Sequence, residues 1–293
     1  MKPAPFEYHR PESVDEALAL LAAHGYDAKL LAGGQSLVPA MNFRLAQPAV
    51  LVDLNRVPGL DYLAERGGGL RIGAMARQAA AERSEAVARL APLVAEALPH
   101  VAHPQIRNRG TVGGSVAHAD PAAELPAVMV ALGARLHLQG PNGGRVVEAE
   151  SFFTGLFSTV LEPEEMLLEL ELPAPEPGGG WAFGEISRRH GDFALAGLAA
   201  SVGVDDAGRC TRARLAFLGV GDGPVLARGA ADLLVGQSPS DEAVRAAAEA
   251  AARALEPPSD VHASPAYRRR LAEVLVRRVL PRAFARAAAA RRS

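Results

Sequence analysis

The chain has 293 residues, a length that suggests two domains or one large one and that needs no disulfide or metal to hold a core. Its 49% hydrophobic and 22% charged residues are ordinary for a globular protein and exclude a disordered tail protein. Lys plus Arg total 31 against 33 Asp plus Glu, so the net charge of −2 gives no support for a nucleic-acid or acidic-membrane partner, and the lone Cys210 excludes an internal disulfide, a cysteine zinc site and a cysteine-held iron–sulfur cluster on this chain.

Met1 to Arg10 shows no signal-peptide pattern, and no run of 18 apolar residues could span a membrane. The expected location is the cytoplasm. Ser13-Val14-Asp15-Glu16 has the form of a capping box, with Ser13 as N-cap. Val14, Ala17, Leu18 and Leu21 follow at helical spacing, and Gly25 ends the helix. Ala28 to Leu31 reads as a strand stopped by the turn at Gly33-Gly34, and Val50 to Leu54 as another strand, closed by Asn55. This is an α/β opening.

Leu70 to Ala74 reads as a strand, and residues 76–101 as mostly helical with breaks near Pro92 and Pro99. Residues 103–115 are polar and Gly-rich, and 122–132 form an apolar helix. Gly140-Pro141-Asn142-Gly143-Gly144 signals a hairpin between Leu136–Leu138 and Val146–Val147. Met166 to Leu172 alternates apolar residues with Glu, as a half-buried strand does. The run from Pro173 to Gly180 cannot continue a sheet or helix, so a domain boundary is expected there. Beyond it, strands over 181–187, 194–204 and 209–218 precede helices over about 225–235, 240–255 (capped by Ser240) and 264–290. Strands followed by helices suggest an α+β domain.

Two Gly-rich segments carry the chemistry. In Leu30-Leu31-Ala32-Gly33-Gly34-Gln35-Ser36-Leu37, two glycines after a strand allow φ > 0 and can turn successive N–H groups inward as an anion-binding nest. Taken alone, that pattern is also an ordinary tight turn. In Arg109-Gly110-Thr111-Val112-Gly113-Gly114-Ser115, three glycines and flanking hydroxyls suit close backbone approach to phosphates, and two such turns could grip a dinucleotide from both sides. Neither is a P-loop, and neither is the G-x-G-x-x-G of a Rossmann site. His100, His103, His118 and Asp120 have no second ligand pattern, so no metal is expected, and Asp120 is expected to cap the following helix. Cys210 reads as a small buried apolar group. The Arg pairs at 269–270 and 277–278 read as a solvated or subunit-contacting face.

With Leu30 to Leu37, the stretches Met41-Asn42-Phe43-Arg44-Leu45, Leu51 to Asn55, His103 to Ser115 and Ala117 to Pro126 resemble the FAD-binding medium subunit of the molybdenum hydroxylases, the xanthine and carbon monoxide dehydrogenase family. Ser187-Arg188-Arg189-His190-Gly191-Asp192-Phe193-Ala194 and Tyr267-Arg268-Arg269 extend the resemblance, in order, over nearly the whole chain. It implies an α+β protein: a two-subdomain α/β FAD-binding domain of PCMH/VAO type over 1–177 (about 1–55 and 56–177), then a C-terminal domain of antiparallel sheet plus helices over 178–293. It further implies that Leu30, Leu31, Ala32, Gly33, Gly34, Gln35, Ser36 and Leu37 wrap the FAD pyrophosphate together with Thr111, Val112, Gly113, Gly114 and Ser115. Glu124 matches a position near the adenosine half. Val101 and Ile106 match positions near the flavin, and Leu167 and Glu185 match positions that touch it. Some relatives carry Lys where this chain has Glu185, and Phe193 would lie over the flavin ring.

The resemblance implies an oxidoreductase subunit with FAD, and no residue pattern in the sequence looks like a substrate acid–base site. Molybdopterin would sit on a large partner subunit and two [2Fe–2S] clusters on a small one, with NAD, a quinone or another external acceptor taking the electrons. Two alternatives remain at this point, a self-contained flavin oxidase or reductase and a scaffold subunit without flavin. The intact Gly33, Gly34, Gly113 and Gly114 argue against the scaffold.

Overall fold

The computed structural model describes residues 2–291. Met1, Arg292 and Ser293, the outer ends of the two expected domains, lie outside the described residues. In chain order the first layer comprises β1 (Glu7–His9), α1 (Val14–His24), β2 (Ala28–Leu31), α2 (Leu37–Asn42) and β3 (Val50–Asp53). Its three strands form a parallel sheet in the order β1-β3-β2. Ser13 caps α1 as its pattern predicts, accepting the Glu16 N–H at 3.1 Å. The Glu16 carboxylate reaches back to the N–H of Glu12 at 2.7 Å rather than to Ser13 itself. Ala17, Leu18 and Leu21 on one face of α1 are buried with Val50 and Val52 of β3. The third strand, β1, is three residues long and carries no periodicity that sequence reading could use.

The second layer is built from β4 (Leu63–Arg66), β5 (Gly69–Gly73), α3 (Gln78–Glu82), α4 (Glu85–Leu90), α5 (Pro92–Ala97), α6 (Pro104–Arg107), α7 (Val112–His118) and α8 (Glu124–Leu132). It continues through β6 (Arg135–Gly140), β7 (Gly143–Glu148), α9 (Ala149–Phe152), β8 (Phe153–Gly155), β9 (Ser158–Thr159) and β10 (Met166–Leu172). The five long strands form an antiparallel sheet in the order β4-β5-β10-β6-β7. The hairpin signal at 140–144 is realised as the β6–β7 connection, with Gly140 opposite Gly143. β10 lies at the centre of the sheet, where Met166, Leu167, Leu170 and Leu172 go into the core. Its Glu169 and Glu171 sit on the other face and pair with Arg71 at 2.6 and 2.8 Å.

The third layer is the antiparallel sheet β11 (Gly179–Ile186), β12 (Ala196–Val204), β13 (Cys210–Leu218) and β14 (Val225–Leu226), in that order, with α10 (Arg228–Asp232), α11 (Asp241–Ala254) and α12 (Pro265–Ala290). Two expectations are corrected here. The Pro/Gly stretch does not end before the sheet: Gly179 and Gly180 are the first residues of β11, paired with Gly203 and Val202. Gly180 is needed because α12 lies directly on it; a Cβ there would fall 2.1 Å from the Ala283 carbonyl oxygen. The segment near 225 begins as a strand and turns helical only at Arg228.

The apolar helix α8 holds the layers together. Leu125 to Ala131 are all buried, and they share one core with β5, β6 and β10 and with Phe183, Ala199, Ala216 and Leu218 of the third sheet. Arg214 of β13 donates to the Val130 carbonyl at 2.8 Å, and Arg282 and Arg286 of α12 bind Glu96 of α5. The other face of the third sheet is covered by α11 and α12. Cys210 is buried there, and burial raises its thiol pKa. Arg270 and Arg277 pair with Glu273 on the solvent side of α12, while Arg269 donates to the Leu255 carbonyl at 2.8 Å.

Candidate functional site

Leu30 and Leu31 end β2 opposite Val52 and Asp53, and the chain then turns through Ala32 to Ser36 before α2 starts at Leu37. Gly34 has φ of +73°, which a residue with a Cβ adopts only with strain. Among the described residues no acceptor lies within hydrogen-bond reach of the main-chain N–H groups of Gly33, Gly34, Gln35 and Ser36. The Gln35 amide donates to the Gly33 carbonyl at 3.2 Å and so holds the turn's shape from within. Four consecutive donors left unpaired at a strand end are a ready anion cradle.

The second segment corrects the sequence reading. It is not an open Gly-rich turn. Thr111 caps α7, accepting the Gly114 N–H at 3.0 Å, and the helix runs from Val112 through both glycines. The N–H of Val112 donates to Ala76, that of Gly113 to Ala74 and that of Ser115 to Thr111. These donors are therefore committed within the chain and are not free to meet a phosphate. Gly113 is small for packing: a Cβ would fall 2.5 Å from Ala74 Cα. What the segment can offer a ligand is the hydroxyl groups of Thr111 and Ser115 and the bare edge at Gly114.

The two segments nevertheless meet as expected. A Cβ on Gly33 would fall 2.3 Å from the Arg109 carbonyl oxygen and 2.7 Å from Gly110 Cα, and one on Gly114 would fall 3.3 Å from the Ala32 methyl group. Arg77, which no local pattern marks, ties them together. It donates to the Arg109 carbonyl and, at 2.5 Å, to the Asn55 side chain. Asn55 in turn donates to the Ala32 carbonyl at 3.0 Å. Burial lowers the Arg77 pKa, with Arg109 contributing in the same direction.

The remaining predicted residues lie at the seam between the second and third layers. Val101 is buried and Ile106 half-buried around α6. Arg107 of α6 is bound to Glu82 at 2.8 and 3.0 Å and to the Val101 carbonyl at 2.9 Å, which fixes this corner. Glu124 opens α8 and is buried, and Glu185, near the end of β11, also has a buried side chain. Burial pushes the Glu124 carboxyl up to about 8, with the Glu185 charge acting in the same direction. The Glu185 carboxylate lies 3.5 Å from His100 Nδ1. Asp120 accepts the Ala122 N–H at 2.9 Å and so closes a turn rather than capping α8, whose N-cap is Ala123. His103 stacks on His190, and its ring fills the space beside Gly191. Two predicted ring-side residues stand apart: Leu167 is a core residue of β10 opposite Leu138, and Phe193 sits 72% exposed on its loop.

The description "FAD binding domain in molybdopterin dehydrogenase" matches residues 4–175, and "CO dehydrogenase flavoprotein C-terminal domain" matches residues 181–283. The chain belongs to the FAD-binding medium-subunit family of the molybdenum hydroxylases. It is 44% identical to the 6-hydroxypseudooxynicotine dehydrogenase complex subunit alpha of Paenarthrobacter nicotinovorans, over 98% of this chain and 97% of that one. It is 43% identical to the carbon monoxide dehydrogenase medium chain of Hydrogenophaga pseudoflava, over 98% and 100%. A solved carbon monoxide dehydrogenase of that organism, lacking the Mo-pyranopterin moiety of its cofactor, superimposes with a TM-score of 0.95 at 43% identity over 98% of this chain and 99% of that one. Quinoline 2-oxidoreductase from Pseudomonas putida 86 gives 0.92 at 40% identity over 99% and 100%. As a member of this family the chain is an FAD-binding oxidoreductase subunit. Among the described residues no helix is long and apolar enough to cross a membrane.

Proposed function

We propose that this chain carries FAD as the electron-transfer subunit of a molybdenum-dependent hydroxylase or dehydrogenase. It would receive electrons from the [2Fe–2S] clusters of a small subunit, fed by molybdopterin on a large subunit, and pass them to NAD, a quinone or another external acceptor. The observation that carries the reading is the turn at Gly33 to Ser36, whose unpaired N–H groups are pinned against the Arg109–Gly110 peptide. It fits a pyrophosphate because the donors are main-chain, consecutive and fixed.

When bound, FAD supplies the capacity to take up electrons and hand them on. The chain's own residues bind and orient it. Gly33, Gly34, Gln35 and Ser36 donate to the pyrophosphate, with Leu30, Leu31, Ala32 and Leu37 setting the turn. Thr111 and Ser115 add hydroxyl groups, and Val112, Gly113 and Gly114 set the helix end against which the turn rests. By the family resemblance Val101 and Ile106 lie near the flavin, Leu167 and Glu185 touch it, and Glu124 lies near the adenosine half. The names of the relatives support a place in a multi-subunit dehydrogenase, since they are a complex subunit and a medium chain.

The test is FAD titration of the purified full chain, followed by co-expression with the partner subunits encoded in its native host. Stoichiometric FAD uptake, and a complex containing molybdenum, iron and flavin, are expected. A chain that takes up no FAD would refute the cradle. A chain that turns over an organic substrate unaided would refute the subunit role.

A further inference from the structure

A formal positive charge stands where the two Gly-rich segments meet. The main chain at Arg77 pairs antiparallel with Thr111, the residue that caps α7. Bonds on either side lock this pairing, from Val112 N–H to the Ala76 carbonyl and from Gln78 N–H to the Gly110 carbonyl, both at 2.9 Å. Residues directly opposite each other in such a pair send their side chains to the same face, so the Arg77 side chain leaves beside the Thr111 hydroxyl group. Its neighbour Gln78 goes the other way and is buried. The guanidinium group then reaches the Gly33 turn by two short routes. It donates to the Arg109 carbonyl oxygen, the atom against which Gly33 rests. At 2.5 Å it also donates to Asn55, which holds the Ala32 carbonyl at 3.0 Å. Both acceptors are neutral. A guanidinium group has five N–H donors, and among the described residues these two bonds spend two of them. Asp53 and Asp61 act on it only through their fields. Asp53 is committed to the Tyr8 hydroxyl group and, at 2.9 Å, to the Asn55 N–H. A neutral donor would tie the segments equally well, whereas a half-buried cation without a counter-ion costs free energy that an anion at the turn would offset.

We propose that Arg77 supplies the formal charge by which this site selects a diphosphate, as the side-chain counterpart of the main-chain N–H groups of Gly33 to Ser36. This rests on the FAD site proposed above. Main-chain donors carry partial charges only. A guanidinium group adds a full charge and planar, paired donors that match phosphate oxygens. In a partly water-excluded gap its pull on an anion is stronger than at an open surface, yet it still weakens as salt rises. The ligand class is a dianionic diphosphate ester. Arg109, whose side chain is exposed, adds to the field from the surface, where water and salt screen it.

The experiment measures the affinity of the flavin-free full chain for FAD and for ADP, which carries the diphosphate without the flavin, from about 20 to about 500 mM NaCl. The wild-type chain is compared with Arg77→Gln, Arg77→Lys and Arg109→Gln. Wild-type affinity for FAD and for ADP should fall together as salt rises. Arg77→Gln keeps an amide donor but no charge. It should bind both ligands about 10- to 150-fold more weakly, the scale of a lost charge-assisted hydrogen bond, and lose most of the salt dependence. Arg77→Lys should keep the salt dependence with intermediate affinity, and Arg109→Gln should keep most of both. Wild-type FAD affinity that ignores salt, or Arg77→Gln with the wild-type salt dependence, would overturn the charge role and leave Arg77 as a tie between segments. So would a loss for FAD without a parallel loss for ADP, a wild-type chain that binds FAD but not ADP, or an equal loss in Arg109→Gln. If Arg77→Gln does not fold, Arg77→Lys decides: loss of the salt dependence there overturns the proposal. No FAD uptake by the wild-type chain would instead overturn the FAD site itself.

Discussion

Gly33→Ala tests the contact on which the proposed cradle depends. The added methyl carbon would sit 2.3 Å from the Arg109 oxygen, 2.7 Å from Gly110 Cα and 2.9 Å from the Arg109 carbonyl carbon. All three are backbone atoms, so no side-chain rotation relieves the overlap. The two segments must move apart by close to an ångström to restore ordinary contact, and overpacking of this kind costs about 1–3 kcal/mol. The free protein can relax by opening the gap between the turn and the N-terminus of α7. Binding FAD would force the gap closed again, so the cost appears in affinity, as about a 5- to 150-fold weakening. Gly34→Ala is the control. Its Cβ would meet only the flexible ends of Leu31 and Val38, both at 3.2 Å, and its φ of +73° adds roughly 1–2 kcal/mol of strain without separating the segments. The assay is FAD titration by fluorescence quenching, with thermal unfolding of the flavin-free chains in parallel. Gly33→Ala should lose more affinity than Gly34→Ala at comparable thermal stability. Unchanged FAD affinity in Gly33→Ala would refute the claim that the turn must rest on the Arg109–Gly110 peptide to bind.

Three further outcomes are expected. Glu124 holds its proton in the folded chain to about 8 but near 4.5 when unfolded, so its contribution to stability is complete below about 4.5 and is lost as pH rises to about 8. Glu124→Gln should therefore gain on the wild-type chain across that window, by an upper bound of about 5 kcal/mol. Urea unfolding of the flavin-free chain at pH 5 and pH 8 measures the difference, and an equal effect at both would contradict the raised carboxyl pKa. Arg77→Met should weaken FAD binding and lower the melting temperature, because it releases both Asn55 and the Arg109 carbonyl. Gly180→Ala should destabilise the chain severely without selectively weakening FAD binding, since its Cβ would strike the Ala283 and Ala287 backbone of α12. Differential scanning fluorimetry with and without FAD separates the last two cases.

Much of this structure could be read from local pattern. Ser13, Ser240 and Ser264 each cap the helix that their spacing announces, and the 140–144 hairpin closes as its glycines require, because caps and tight turns are satisfied by neighbours within a few residues. The first Gly-Gly segment is legible for the same reason. The second misleads because Gly113 and Gly114 speak locally against a helix, while Thr111 and the Ala74–Ala76 backbone outweigh that preference from both sides. β1 exists only because β3 offers it a parallel edge. Arg77 reaches Asn55 and the Arg109 carbonyl across 22 and 32 residues, and no local spacing announces either contact. Glu124 and Glu185 look like two unremarkable acids, one at a helix start and one on a strand. Only the packing of the second layer against the third sheet takes them out of water. A carboxyl group's charge state depends on the dielectric and the charges around it, and those are properties of the folded seam rather than of the residues beside it in the chain.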